Sequence, residues 1–259
     1  MISALAAGVL SPFFFQAVPE VRSTYISIGK IAEDRPMQTT YVRVGIDAGD
    51  FGRFGIRNWD VSSLTDRLRK VHRSPIWMTE FGPTWQYDLK FNEDWRLAND
   101  LTRSWTLYRG YVNDRYNATY HWWHIDQYLF NPYLVPFWGM RKGIRNSAYF
   151  YFKTGVFRRF PFLEDFYVTP SIFAEGGSSH NQKRVFGARK GGGPWYDGVA
   201  SVSFRIELGW RISENFTCYT YVEQYEVVGG EARRTNAGSS SRVAHNDWTY
   251  GGIGLRIMF

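Results

Sequence analysis

The sequence predicts an all-β protein, a transmembrane antiparallel up-and-down β-barrel of about twelve strands, and three observations carry that expectation. The first is composition: of 259 residues 19% are aromatic, including 11 Trp and 17 Tyr, while charged residues hold at 21%. Such a chain is suited to a surface that meets two solvents. The second is period-two alternation of apolar and polar residues, repeated along the chain in segments of strand length. The third is the spacing of connections, which alternate between short turns and long polar loops. Beyond the N-terminus no apolar run approaches the ~18 residues of a spanning helix. A closed barrel is the other structure that satisfies every backbone group inside a bilayer.

Taken in order, the expected strands fall near 22–31, 38–47, 51–60, 76–91, 94–109, 118–128, 133–141, 147–159, 166–176, 197–211, 215–228 and 247–259. The alternation is clearest at 197–211. There Ala200, Val202, Phe204, Ile206, Leu208 and Trp210 share one face, and Ser201, Ser203, Arg205, Glu207 and Arg211 the other. Residues 76–91 set Trp77, Phe81, Trp85, Tyr87, Leu89 and Phe91 against Glu80, Gln86, Asp88 and Lys90. The next strand sets Trp95, Leu97, Leu101, Trp105 and Leu107 against Arg96, Asp100, Thr102 and Ser104, but Asn99 and Arg103 intrude on its apolar side.

The turns AGDF (48–51), NED (92–94), NP (131–132), PFLED (161–165) and SEN (213–215) are short, whereas 61–75, 177–196 and 229–245 are long and polar. Barrels of bacterial envelopes segregate connections in this way, with the short turns on the periplasmic side. Trp85, Phe91, Trp95, Phe160, Phe166, Trp210, Phe216 and Phe259 lie beside short turns, and Trp77 and Trp105 lie at the opposite strand ends. Two interfacial girdles follow from one register.

The last strand, with Ile253, Leu255, Ile257 and the terminal Phe259 in register, resembles the terminal-strand signal of Gram-negative outer-membrane β-barrel proteins. The resemblance implies a bacterial outer-membrane location, with lipid and lipopolysaccharide around the wall. It also implies transient recognition of those four residues, as an assembly signal, by the barrel-assembly machinery. The stretch MISALAAGVLSPFFFQAVPE has no Lys or Arg ahead of its apolar part. Residues 1–21 are therefore expected to be a periplasmic segment or a residual signal sequence, and 22–259 the barrel.

The polar faces suggest function. Arg43, Arg53, Arg57, Lys90, Arg96, Lys153, Arg159, Arg205, Arg211 and Arg256 stand against Asp47, Glu80, Asp88, Asp100, Glu175, Glu207 and Glu223. An excess of inward cations inside a low-dielectric wall focuses a positive potential along the axis. Arg43, Arg53, Arg57, Arg96, Lys153, Arg205, Arg256, Glu80, Asp100 and Glu207 are the expected channel-lining residues of a narrow, passive, porin-like channel that favours small anionic solutes such as acidic sugars.

Three alternatives stand beside it: a non-conducting structural or assembly-partner barrel, a barrel enzyme hydrolysing lipid or peptide, and a soluble glycan-binding β-protein. In HWWHID, His124 and Asp126 share a face opposed to His121, which argues against a shared metal site and supplies at most two members of a triad. No catalytic residue, metal site, cofactor or nucleic-acid partner is assigned. The lone Cys218 rules out an intramolecular disulfide. Residues 62–72, SSLTDRLRKVH, break the alternation and read as a short loop helix with Ser63 and Asp66 in a capping box. The glycines of YGGIGLRI are expected to relieve crowding on a curved wall.

Overall fold

A computed structural model of the chain describes residues 12–27, 30–33, 36–64, 77–109, 119–144, 149–179, 197–230 and 246–259. Its strands are β1 (Phe13–Arg22), β2 (Tyr25–Ser27), β3 (Lys30–Glu33), β4 (Met37–Asp47), β5 (Arg53–Ser63), β6 (Trp77–Lys90), β7 (Arg96–Arg109) and β8 (Thr119–Phe130). They continue with β9 (Val135–Gly143), β10 (Phe150–Phe157), β11 (Phe160–Leu163), β12 (Phe166–Gly177), β13 (Gly198–Arg211), β14 (Phe216–Val227) and β15 (Asp247–Met258).

All but β2 and β3 belong to one antiparallel sheet that closes on itself: β1 pairs with both β4 and β15, and β10 pairs with both β9 and β12. β10 and β11 lie end to end against β12, so the barrel has twelve staves. Closure leaves no sheet edge, which is what allows β-structure to cross a bilayer. Among the described residues no helix is long and apolar enough to do so.

Burial is inverted relative to a water-soluble domain. Glu80, Arg43 and Glu207 are 3%, 3% and 7% exposed, whereas Ile56, Val222 and Ile253 are 61%, 59% and 57% exposed. Along β13, Phe204, Ile206, Leu208 and Trp210 face outward while Ser203, Glu207 and Gly209 are buried inside. An apolar outer wall around a polar interior is the arrangement a hydrocarbon solvent selects. The chain is thus a membrane-spanning barrel of the bacterial outer-membrane kind, and the soluble alternative falls.

The short turns are built by named groups. Asn92 Oδ1 accepts from the N–H groups of Asp94 and Trp95, both at 2.9 Å. Asn131 Oδ1 does the same for Tyr133 at 2.9 Å and Leu134 at 3.1 Å. Gly52, at φ 84°, closes the turn between β4 and β5. Aromatic stacks rim this end: Phe54 on Trp85 at 6.0 Å, Phe166 on Trp210 at 5.8 Å, and Phe216 edge-on to Phe259 at 5.7 Å.

Three expectations are corrected. The first stave is Phe13–Arg22, not 22–31, so the barrel begins inside residues 1–21, the stretch expected to be a periplasmic segment or a residual signal sequence. Its pattern was hidden by three consecutive phenylalanines and by Pro19, where the ladder to β15 is interrupted between Ala17 and Glu20. Tyr25–Ser27 and Lys30–Glu33 instead form a separate two-stranded ribbon. Within 161–165, Pro161–Leu163 belong to β11 and only Glu164 and Asp165 turn. Ser62 and Ser63 end β5, and the remainder of the expected 62–72 helix beyond Leu64 lies outside the described residues.

Candidate channel lumen

Most of the strands alternate and send polar residues inward, and the turn-side end of the barrel holds a cavity of about 1130 Å³. Five cations line it, Arg53, Lys90, Arg96, Arg158 and Arg159, against three carboxylates, Asp47, Asp50 and Asp88. Two pairs cancel: Arg53 Nε donates to Asp47 at 2.8 Å and Arg96 to Asp88 at 2.8 Å. Lys90, Arg158 and Arg159 have no carboxylate partner among the described residues, and Asp50 is the remaining carboxylate of the lining. Arg158 and Arg159 fill the break between β10 and β11. Their guanidiniums sit over Phe160 at 4.9 Å and Tyr167 at 4.2 Å.

Above this vestibule charges pair along the inner wall. Arg43 on β4 reaches Asp100 on β7, and Asp100 also accepts from Thr84 at 2.8 Å. Arg57 on β5 donates to Glu80 on β6 at 2.7 Å, and Thr106 on β7 donates to the other Glu80 oxygen at 3.2 Å. On the opposite wall Glu207 accepts from Arg205 and Arg256, each at 2.8 Å, and Arg256 also donates to the Tyr167 hydroxyl at 2.7 Å. Lys153 lies 3.4 Å from Glu175. All ten residues expected to line a channel face the interior, and each belongs to an ion pair. Arg205 and Arg256 also stack on Tyr221 at 3.6 Å and Tyr219 at 4.0 Å.

His124 completes the layer around Glu80. Arg57 lies 3.1 Å from its Nδ1, and Ser104 Oγ lies 2.6 Å from its Nε2. A guanidinium has only donors, so Nδ1 must be the acceptor and the proton sits on Nε2, where it is donated toward Ser104. A histidine in that tautomer cannot take a proton from the serine, so the contact is not a nucleophile–base pair. Asp126 also points inward and His121 outward, as the alternation predicts.

Residues that the sequence reading missed centre on Glu20 of β1. It accepts from the Tyr219 hydroxyl at 2.5 Å and the Tyr221 hydroxyl at 2.8 Å, and pairs with Arg22. These two tyrosines lie over the glycines of the last strand, since they are the ladder partners of Gly254 and Gly252. A Cβ at Gly254 would meet Tyr219 Oη at 2.5 Å, and one at Gly252 would meet the Tyr221 ring at 2.7 Å. The YGGIG run therefore makes room for two rings that fix β14 against β1. Of the four expected assembly-signal residues, Ile253 and Phe259 are exposed and Leu255 and Ile257 half-exposed on the wall.

No family model matches the chain and no curated protein matches it. Among solved structures, an outer membrane channel from Pseudomonas putida F1 is similar at 9% identity and TM-score 0.50, covering 98% of this chain and 97% of that one. A KdgM porin matches at 12% identity and TM-score 0.49, covering 95% and 99%. The outer membrane phospholipase A from Escherichia coli matches at 12% identity and TM-score 0.46, covering 94% and 89%. At these identities the first likeness speaks to the fold alone.

Proposed function

We propose that the protein is a narrow passive channel of the outer membrane that favours small anionic solutes, acidic sugars being the class its lining suits. The observation that carries this reading is the vestibule, with five cations against three carboxylates around about 1130 Å³. Lys90, Arg158 and Arg159, without a carboxylate partner among the described residues, are placed to meet an anion there. Cation–aromatic pairs continue inward, Arg205 on Tyr221, Arg256 on Tyr219 and Lys153 on Phe173. Such pairs offer charge for a carboxylate and a flat apolar face for a sugar ring. Lipopolysaccharide around the wall and transient contact with the barrel-assembly machinery belong to the same proposal.

Planar-bilayer recording tests it. With a salt gradient the wild type should show an anion-selective reversal potential, and Arg158→Glu combined with Arg159→Glu should move it toward cations. Arg205→Glu should do so too, because the side chain is half-buried in the lumen. A conducting wild type whose selectivity ignores all these changes refutes the anion assignment.

A second reading is favoured by one observation: His124 and Ser104 are each 0% exposed, beside Glu80 at 3%. A layer that dry closes its side of the lumen. If the wild type never conducts, the protein is a closed structural barrel.

A further inference from the structure

The outer wall is not uniform. From β12 through β15 its exposed apolar residues include Ile172, Phe204, Ile206, Leu208, Val222 and Ile253, and the outward Gln224, Glu226, Asp247 and Thr249 lie toward the loop-side ends of β14 and β15. Across β5 to β7 the same outward register carries Asn58, Asp60, Thr79, Asn99 and Arg103. Asp60 accepts from Asn58 and Thr79, which leaves lone pairs on both oxygens. Arg103 is exposed, and among the described residues its guanidinium has no ion pair, only the Trp105 ring at 5.3 Å. Ionisable groups on a hydrocarbon-facing wall are retained where something other than lipid meets them.

Within one barrel the two opposite charges are too far apart to pair. In a single barrel Asp60 pairs with Thr79, and Thr79 with Leu107, four residues along β7 from Arg103. At ~4.8 Å per strand and ~3.3 Å per residue the two side chains root about 16 Å apart. Yet each lies seven residues in from the turn-side end of its strand, Arg53 or Arg96. With strands tilted by ~40° both therefore sit about 18 Å above that rim, at matching depth. Between them on β6 is Phe81, ladder partner of Asn58 on one side and Trp105 on the other, and stacked on Trp105 at 5.6 Å.

We propose that this face is the contact between two copies of the chain, related by a two-fold axis along the membrane normal that passes at Phe81. That operator sets Asp60 of each copy against Arg103 of the other, giving two identical ion pairs flanking a central aromatic cluster. An isologous interface needs a patch complementary to itself. This wall, acidic on one flank, basic on the other and aromatic between, meets that condition. A two-fold along the normal can join only groups of equal depth, which Asp60 and Arg103 are.

The test is self-association in lipid, independent of whether the barrel conducts. In a Cys218→Ser background, Phe81→Cys should form a disulfide-linked dimer in vesicles under mild oxidation, while Ile206→Cys on the opposite wall should not. By native mass spectrometry from nanodiscs, Asp60→Arg or Arg103→Asp alone should shift the equilibrium toward monomer by ~tenfold or more, as expected when one partner of an interfacial charge pair is lost. The double swap should restore the dimer.

Heat-modified migration establishes that each variant is folded. Should a charge variant fail to fold, the Phe81→Cys crosslink in the otherwise unaltered wall still decides. A monomeric wild type without the Phe81→Cys crosslink overturns the proposal and leaves Arg103 to a lipid phosphate. Crosslinking through Ile206→Cys, or a double swap that stays monomeric, overturns it as well.

Discussion

Replacing Glu80 by alanine tests whether the layer around His124 is held by charge. Glu80 and Arg57 are 3% and 8% exposed, so solvent screens neither. The substitution removes the acceptor of Arg57 at 2.7 Å and of Thr106 at 3.2 Å. The guanidinium is then left with one partner, His124 Nδ1 at 3.1 Å, and its Nε already has none. Breaking a buried pair from one side costs about 3–5 kcal/mol, because the remaining charge stays desolvated. Replacing both partners with apolar groups of similar volume removes that penalty, so Arg57→Met with Glu80→Leu should return to within about 1 kcal/mol of wild type.

The measurement is urea unfolding of the barrel in lipid vesicles, followed by tryptophan fluorescence, with heat-modified migration as the readout of folded barrel. A loss below about 1 kcal/mol for Glu80→Ala would show that water reaches the pair. A double variant less stable than the single one would refute the account differently, since the pair would then be worth more than its desolvation.

Three further outcomes are expected. Phe259→Asp should lower outer-membrane yield, because Phe259 packs on Phe15 at 6.4 Å and Phe216 at 5.7 Å and a carboxylate there is costly to desolvate; unchanged yield counts against it. Gly254→Val should cost about 1–3 kcal/mol by overpacking, with loss of the Glu20–Tyr219 bond, read in the same urea titration; an unchanged midpoint counts against it. In a Cys218→Ser background, Glu164→Cys should react with an impermeant thiol reagent only after the outer membrane is permeabilised. Labelling in intact cells would invert the assigned orientation.

Alternation was legible wherever the two solvents differ sharply, which is why β13 and β15 could be read from residues alone: a strand with hydrocarbon on one side and a charged lumen on the other must alternate. β1 was not, because Phe13, Phe14 and Phe15 put aromatics on both faces at the interface, where both are tolerated, and Pro19 breaks the ladder. With β1 misplaced, Glu20 was lost, and with it the reason for Tyr219, Tyr221 and the glycines opposite them. Inward charges were legible one at a time, but their pairing was not, because Arg43 and Asp100 meet across two intervening strands and that distance is set by curvature, not by sequence. Arg103 is the instructive misfit. On a single chain in lipid it places a cation on the outward register of β7, as Asp60 places an anion on that of β5. Two outward charges of opposite sign at equal depth are hard to account for as separate errors of patterning, whereas one two-fold contact requires both together and fixes where each must lie.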